Sequence, residues 1–165
     1  MDLLAPQPLA QHHSTVSFDC GDSGLNHWLQ QRALANQQSS ATRSFVVCNV
    51  EGIVKAYVAL ASGAVAVASA PGRFRRNRPD PIPVVVLARL AVCRTVQGRG
   101  IARALLADAF ERVLQASTQI GVRGIVVHAA SAEARSFYLQ CGCHLAVLIC
   151  AAQGAFGERG ISLSR

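Results

Sequence analysis

Acid is what this chain lacks most. Nine of its 165 residues are Asp or Glu, and from Gly52 to Ala107 the one carboxylate is Asp80. A dedicated glutamate base on the most apolar strand-like run, Val84–Val92, is thereby excluded. Lysine is almost missing as well: Lys55 stands alone against fifteen arginines. The six cysteines (Cys20, Cys48, Cys93, Cys141, Cys143, Cys150) contain no CxxC pair. That argues against a zinc site, and their place in apolar runs reads as buried, reduced thiols of a cytoplasmic protein. Met1–Pro6 has no basic stretch leading into an apolar one, so no signal peptide is expected. The longest uncharged apolar stretch, Ala56–Gly72, is interrupted by Ser62 and Gly63. It is shorter than the roughly 20 residues that span a bilayer, so no membrane partner is expected. There are no repeats or low-complexity tracts. The length fits a single domain over 1–165.

What is present is apolar and basic. Hydrophobic residues make up 51% of the chain and charged residues 15%, a balance that builds a core without staples. The formal net charge is +7, carried by arginine, whose planar fork grips phosphate oxygens in pairs. An anionic partner follows: RNA, a nucleotide cofactor or an acidic protein. Codon composition accounts equally well for the preference of Arg over Lys, though not for the net charge.

Asp22 or Ser23 can cap a helix over 24–38 with Leu25, Trp28, Leu29 and Ala33 on one face. Thr15–Phe18 reads as the end of an edge strand. Ser44–Val50 and Ile53–Ala61 form a hairpin about Glu51-Gly52, and Val65–Ser69 suggests a third strand. Four prolines and a glycine exclude regular structure from 71–83, a loop carrying Arg73, Arg75, Arg76 and Arg78. Val84–Val92 is apolar enough for a strand buried on both faces. A helix to Thr118 follows, with Ile101, Leu105, Ala109 and Val113 in one row and Leu106, Phe110 and Leu114 beside it. Then come a strand Ile125–Ala129, a helix from Ser131 to Gln140 stopped by Gly142, and strands at Leu145–Cys150 and Ile161–Ser164. The order is that of an α/β or α+β fold around one mixed sheet.

Between strand and long helix stands Gln97-Gly98-Arg99-Gly100-Ile101-Ala102. Glycines let backbone approach a ligand, and the first amides of a helix have no internal partner and carry its positive end. A pyrophosphate fits such a place. Neither the dinucleotide-binding glycine fingerprint with its later acid nor a Walker A loop is present.

A Gln followed by Gly100 and Ala102 at this spacing, after an apolar strand, resembles the acetyl-CoA loop of the GNAT superfamily of N-acetyltransferases. The resemblance implies a mixed, centrally splayed sheet flanked by helices. It also implies a pantetheine arm bound by the backbone of Leu90, Ala91 and Val92. Acetyl-CoA is the implied co-substrate, with no metal, and Gln97, Gly98, Arg99, Gly100, Ile101, Ala102 and Arg103 serve as its cradle. Tyr138 then stands where the family has a tyrosine that protonates the departing thiolate. A closer resemblance covers residues 18 to 142. Phe18-Asp19-Cys20-Gly21, Leu25 with Trp28-Leu29, Arg89-Leu90-Ala91-Val92, Gly121-Val122-Arg123 and Val127-His128-Ala129 look like the acetyltransferase toxins of bacterial toxin–antitoxin modules. This implies acetylation of the α-amino group of aminoacyl-tRNA and a block of translation. It also implies a homodimer and a ribbon-helix-helix antitoxin as partner. The chain departs from these toxins at Ala88 and Cys93, where Gly and Asp are usual, and at Cys143, where Phe is usual. Residues 143–165 form a divergent C-terminal tail without the usual closing strand signature.

The chemistry is attack of a neutral amine on a thioester. Lysine, near pKa 10.4, needs help to lose its proton; an α-amine titrates near 7.7–8.0, and an adjacent ester lowers this further. A chain without a base suits the second amine. Tyr138 reads either as the acid or as a core residue with a wet tip. His128 reads as a base or, more simply, as a structural histidine. Arg89 and the arginines of 71–83 can meet tRNA phosphates, and the loop cluster reads equally as a solvated surface. Two rival readings stay open: acetylation of a small-molecule or protein amine, and an inactive antitoxin-binding relic.

Overall fold

Asp22 starts the first helix. In this computed structural model its side chain accepts from the Leu25 N–H at 3.0 Å, satisfying a donor that the first turn of α1 (Ser23–Gln31) leaves free. The structure describes residues 2–70, 72, 76–77, 79–143 and, by backbone alone, 148–151. The single helix expected over 24–38 is two, because the backbone leaves helical geometry at Arg32 (φ −121°) before α2 (Ala33–Gln38) begins. The Arg32 N–H still donates to Trp28 O at 2.8 Å, so the chain bends without losing that bond. The apolar row survives the break. Leu29 and Ala33 are buried, with Leu25 and Trp28 packed beside them against Leu9, Phe18, Val46, Tyr57 and Ala91.

β2 (Arg43–Cys48) and β3 (Val54–Val65) form the expected antiparallel hairpin, with Val46 opposite Tyr57. Asn49 closes its turn by accepting from the Glu51 and Ile53 N–H groups at 3.2 and 2.9 Å. β1 (Gln7–Pro8) pairs with β2 at the edge. The expected strand end at Thr15–Phe18 is instead a turn, in which the Phe18 N–H donates to Thr15 O at 3.1 Å. The third strand expected over 65–69 is also absent. β3 itself runs on to Val65, and 67–69 close into one tight turn pinned by Asp80, whose Oδ1 accepts from the Val67 N–H at 3.1 Å.

β4 (Ile82–Val92) begins inside the segment expected to be irregular. Pro83 sits in this strand because its carbonyl, not an N–H, makes the bond required there: it accepts from the Arg123 N–H at 3.0 Å. Burial on both faces is not observed. Ile82, Val84, Leu87 and Ala91 are buried, but Ala88 is exposed and Arg89, Leu90 and Val92 are half-buried. An apolar run of small and β-branched residues cannot be told from a half-covered strand by pattern alone. α3 (Ile101–Ser117) buries Leu105, Leu106, Ala109, Phe110 and Val113, whereas Leu114 turns outward, 43% exposed. β5 (Gly124–Val127) starts beside the start of β4, through Arg123 and Pro83, so this strand–helix–strand crossover makes a parallel pair. α4 (Ala132–Gln140) is capped by Ser131, whose Oγ accepts from the Ala134 N–H at 3.1 Å. β6 (Leu148–Ala151) pairs antiparallel with β5. The strand order is β1-β2-β3-β4-β5-β6, a mixed sheet in an α+β fold. The expected strand at 161–164 and the rest of the tail lie outside the described residues.

Two compact units share β3, β4 and α3: Met1–Ala61 with Leu87–Ala109, and Ser62–Val86 with Phe110–Arg165. In the second, Ile82, Val84, Ala70 and Val126 bury against Val65, Val67 and Val86. Gly63 belongs to this packing. A Cβ there would lie 2.6 Å from Val86 Cγ2, and a β-branched side chain cannot swing aside. Gly63→Ala is therefore expected to destabilise the fold by about 1–3 kcal/mol, read as a lower denaturant midpoint with an unchanged slope. Cys20, Cys48 and Cys93 are free thiols as expected; Cys143 is not, being disulfide-bonded.

Candidate functional site

The Gln97 loop is held from both sides. β4 ends as the Cys93 N–H donates to Lys55 O at 2.8 Å. Residues 94–96 make one tight turn, with Val96 buried in the core. The Gln97 side-chain amide then donates twice, to Val92 O at 2.9 Å and to Cys20 O at 3.1 Å. Gln97 is thus spent on positioning the loop. Gly98 and Gly100 both have φ +76°, and a Cβ on either would meet nothing within 4 Å. Backbone conformation requires glycine here, and the space in front of the loop is open. The first N–H of the helix with an acceptor is that of Ala104, which donates to Gly100 O at 3.0 Å. Among the described residues, none of the N–H groups from Gly98 to Arg103 donates to a protein acceptor. The first turn of α3 carries no acid, and Arg99 and Arg103 stand exposed beside it. Six unused donors, a helix dipole and two guanidinium groups suit a multiply charged phosphate ligand.

Arg89 lies in the same unit, on β4. Its guanidinium carbon sits 4.6 Å from the centre of the Trp28 ring, which is itself stacked on Tyr57 (centroids 5.8 Å apart, 17° between planes). Tyr57 donates to Leu25 O at 3.0 Å, which fixes α1 against the sheet. Burial raises the Tyr57 phenol well above its usual range, and the nearby Arg89 charge opposes that rise. The Arg89 Nε is buried and without a partner among the described residues. The resemblance pointed to Arg89 and included Trp28, which helical spacing placed on the apolar face of α1, and left Tyr57 unmarked. A cation–π pair between distant positions leaves no periodicity to read.

A polar network around Asp19 was visible only as part of a resemblance. Asp19 Oδ1 accepts from the Gly21 N–H and the Asn26 amide, both at 2.9 Å. Its Oδ2 lies 3.5 Å from the Arg94 guanidinium, and its carbonyl accepts from the Arg94 N–H at 2.8 Å. The Gly21 N–H, then the Asn26 amide and the Arg94 charge, hold this carboxyl below its ordinary range.

The other unit holds Tyr138, on the last turn of α4. The tyrosine is buried at 8% exposure, with the Phe137 ring edge-on at 5.3 Å. Its carbonyl accepts from the Cys141 and Cys143 N–H groups, both at 3.1 Å, so the end of the helix is pinned. Among the described residues its hydroxyl makes no hydrogen bond. Burial, aided by the neighbouring Cys141, pushes its phenol up to about 12. Of the loop arginines, Arg76 is exposed, and Arg73, Arg75 and Arg78 lie outside the described residues. The structural reading of His128 is overturned: β5 stops at Val127, and His128 is exposed beyond it. Among the described residues no group of three His, Cys, Asp or Glu can hold a metal, and no helix is long and apolar enough to cross a membrane.

Residues 41–142 match the model of the acetyltransferase (GNAT) domain. A tRNA-acetylating toxin of Mycobacterium tuberculosis is 50% identical over 135 residues, 82% of this chain and 81% of that protein. Among solved structures, AtaT complexed with acetyl-methionyl-tRNAfMet is 30% identical, with a TM-score of 0.81 over 87% of each chain. A mutant AtaT toxin bound to the C-terminus of the antitoxin AtaR and acetyl-CoA is 25% identical, with a TM-score of 0.80 over 94% of this chain and 97% of that one.

Proposed function

This chain belongs to the acetyltransferase (GNAT) domain family, and from that premise we propose that it acetylates the α-amino group of aminoacyl-tRNA with acetyl-CoA and so blocks translation. The observation that carries the reading is the run of unused amides from Gly98 to Arg103, with both glycines left-handed. They would hold the pyrophosphate, with Arg99 and Arg103 on the remaining phosphate charge and the backbone of Leu90, Ala91 and Val92 along the pantetheine arm. Bound there, acetyl-CoA supplies a thioester already activated toward amines.

The rest is done by the amine and the chain. The N–C bond forms as the C–S bond breaks, the amine proton leaves to water, and the thiolate takes a proton from Tyr138. Asp80, the one carboxylate between Gly52 and Ala107, is engaged by Val67. The substrate amine must therefore arrive neutral, as an aminoacyl ester does near pH 7. Arg89, stacked on Trp28 with an unsatisfied Nε, would meet the acceptor end of the tRNA, and Arg73, Arg75, Arg76 and Arg78 its phosphates. The tRNA-acetylating relative supports this substrate class. We place the activity in the cytoplasm, as a homodimer, with a ribbon-helix-helix antitoxin as its neutralising partner.

Incubating the protein with labelled acetyl-CoA and charged tRNA should yield N-acetylaminoacyl-tRNA, with a KM for tRNA that rises steeply with salt. Its kcat/KM should climb with pH to a plateau near pH 8 and show no falling limb up to pH 10, because Tyr138 keeps its proton to about 12. A rate still rising at pH 10, or equal activity on free lysine-like amines, would sink the aminoacyl-ester reading.

A further inference from the structure

We infer that the segment Asp19–Gly21 is a brace for the phosphate loop, acting through Gln97 and Arg94, so that residues with no place at the acyl donor set its affinity. The inference rests on the acetyl-CoA reading above. Two chemically distinct links converge on this segment. The Cys20 carbonyl accepts one of the two Gln97 side-chain bonds, at 3.1 Å, while the other, to Val92 O, ties the loop to the end of β4. The Asp19 carbonyl and carboxylate both engage Arg94, which opens the turn leading into the loop.

The segment is itself built to stay still. Asp19 Oδ1 holds the Gly21 N–H and the Asn26 amide, and Asn26 Oδ1 accepts from the Cys20 N–H at 2.9 Å. Asn26 stands on α1, whose Leu25 carbonyl is tied to the sheet by Tyr57. Rigidity therefore runs from the sheet through α1 to residues 19–21 and on to Gln97. Gly21 is required by its backbone, whose φ is +97°; a Cβ there would also push aside the flexible end of Arg94, whose Nε would lie 2.9 Å away. A preformed row of amides binds an anion without first being ordered, and that advantage disappears if the loop is loosened. Asp19, Gly21 and Gln97 are positioning residues in this sense.

The test measures acetyl-CoA binding by calorimetry, and amide hydrogen exchange of residues 98–103 without ligand, in the native chain and in Gln97→Ala, Asp19→Ala and Asp19→Asn. Gln97→Ala and Asp19→Ala should each weaken binding roughly tenfold and speed exchange of those amides, with exchange in β2 and β3 unchanged. Asp19→Asn keeps the Oδ1 acceptor and should recover most of the loss. In turnover, Asp19→Ala should raise the KM for acetyl-CoA far more than it lowers kcat. Native affinity and native exchange in folded Gln97→Ala and Asp19→Ala would overturn the brace while leaving the acetyl-CoA reading intact. A native chain that binds no acetyl-CoA would overturn that reading and, with it, the stated role of the brace. Gly21→Ala, strained at φ +97°, should weaken binding as well, and native values in both measurements there would also overturn the brace.

Discussion

Tyr138→Phe is expected to lower kcat by about 10²–10³-fold with acetyl-CoA affinity unchanged, the lower part of the range for a general acid. The leaving group sets this size. A thiolate whose acid titrates near 8.5 departs tolerably without help, whereas an alkoxide would not. A phenol held near 12 is a reluctant full donor to such a thiolate. Its main contribution is then a hydrogen bond to the charge growing on sulfur, followed by transfer as the phenol is refilled from solvent. Phenylalanine keeps the buried ring and its edge-on contact with Phe137, so folding stability should change little. Steady-state kinetics with charged tRNA, beside acetyl-CoA calorimetry, checks both halves. Native kcat in the folded variant would remove Tyr138 from the chemistry, whereas no turnover by the native chain itself would favour the inactive-relic reading.

Gly100→Asp should abolish measurable acetyl-CoA binding, a loss of roughly 100-fold or more. Forcing a side chain into left-handed backbone costs about 1–2 kcal/mol, or up to about thirtyfold. Asp is among the residues that tolerate it best, so strain is the smaller part. The larger part is a carboxylate placed at the positive end of α3, where a phosphate would have to approach it. The protein itself offers no clash, since a Cβ at Gly100 meets nothing within 4 Å, so the variant should fold. Gly121→Asp is the control, an equally open glycine without the left-handed φ, and should bind acetyl-CoA normally. Equal affinity in all three proteins, by calorimetry, would move the phosphates elsewhere.

Much of the frame was legible because it depends on local chemistry. Asp22 and Ser131 cap the helices the sequence assigns to them, and Glu51-Gly52 turns the hairpin. What could not be read depends on partners far along the chain. The break at Arg32 has no Gly or Pro to announce it. Pro83 looks like a strand breaker until Arg123 is seen to need its carbonyl. Val84–Val92 suggested enclosure on both faces, yet Ala88 is open to solvent, because composition records apolarity and not which neighbours cover it. In the site, glycines with left-handed backbone could be anticipated from the motif, but the use of Gln97 to hold the loop could not, since Cys20 is 77 positions away.

That last feature governs what else the position could hold. Both bonds from Gln97 run outward to carbonyl oxygens, so the site selects on the number and direction of N–H vectors. Glutamate, isosteric but without a single N–H, offers repulsion twice over, and methionine offers silence. Arginine carries a fork of parallel donors and can serve two carbonyls at once. Replacing Gln97 by Arg, on its face an exchange of neutral for cationic, is therefore a conservative change when counted in hydrogens.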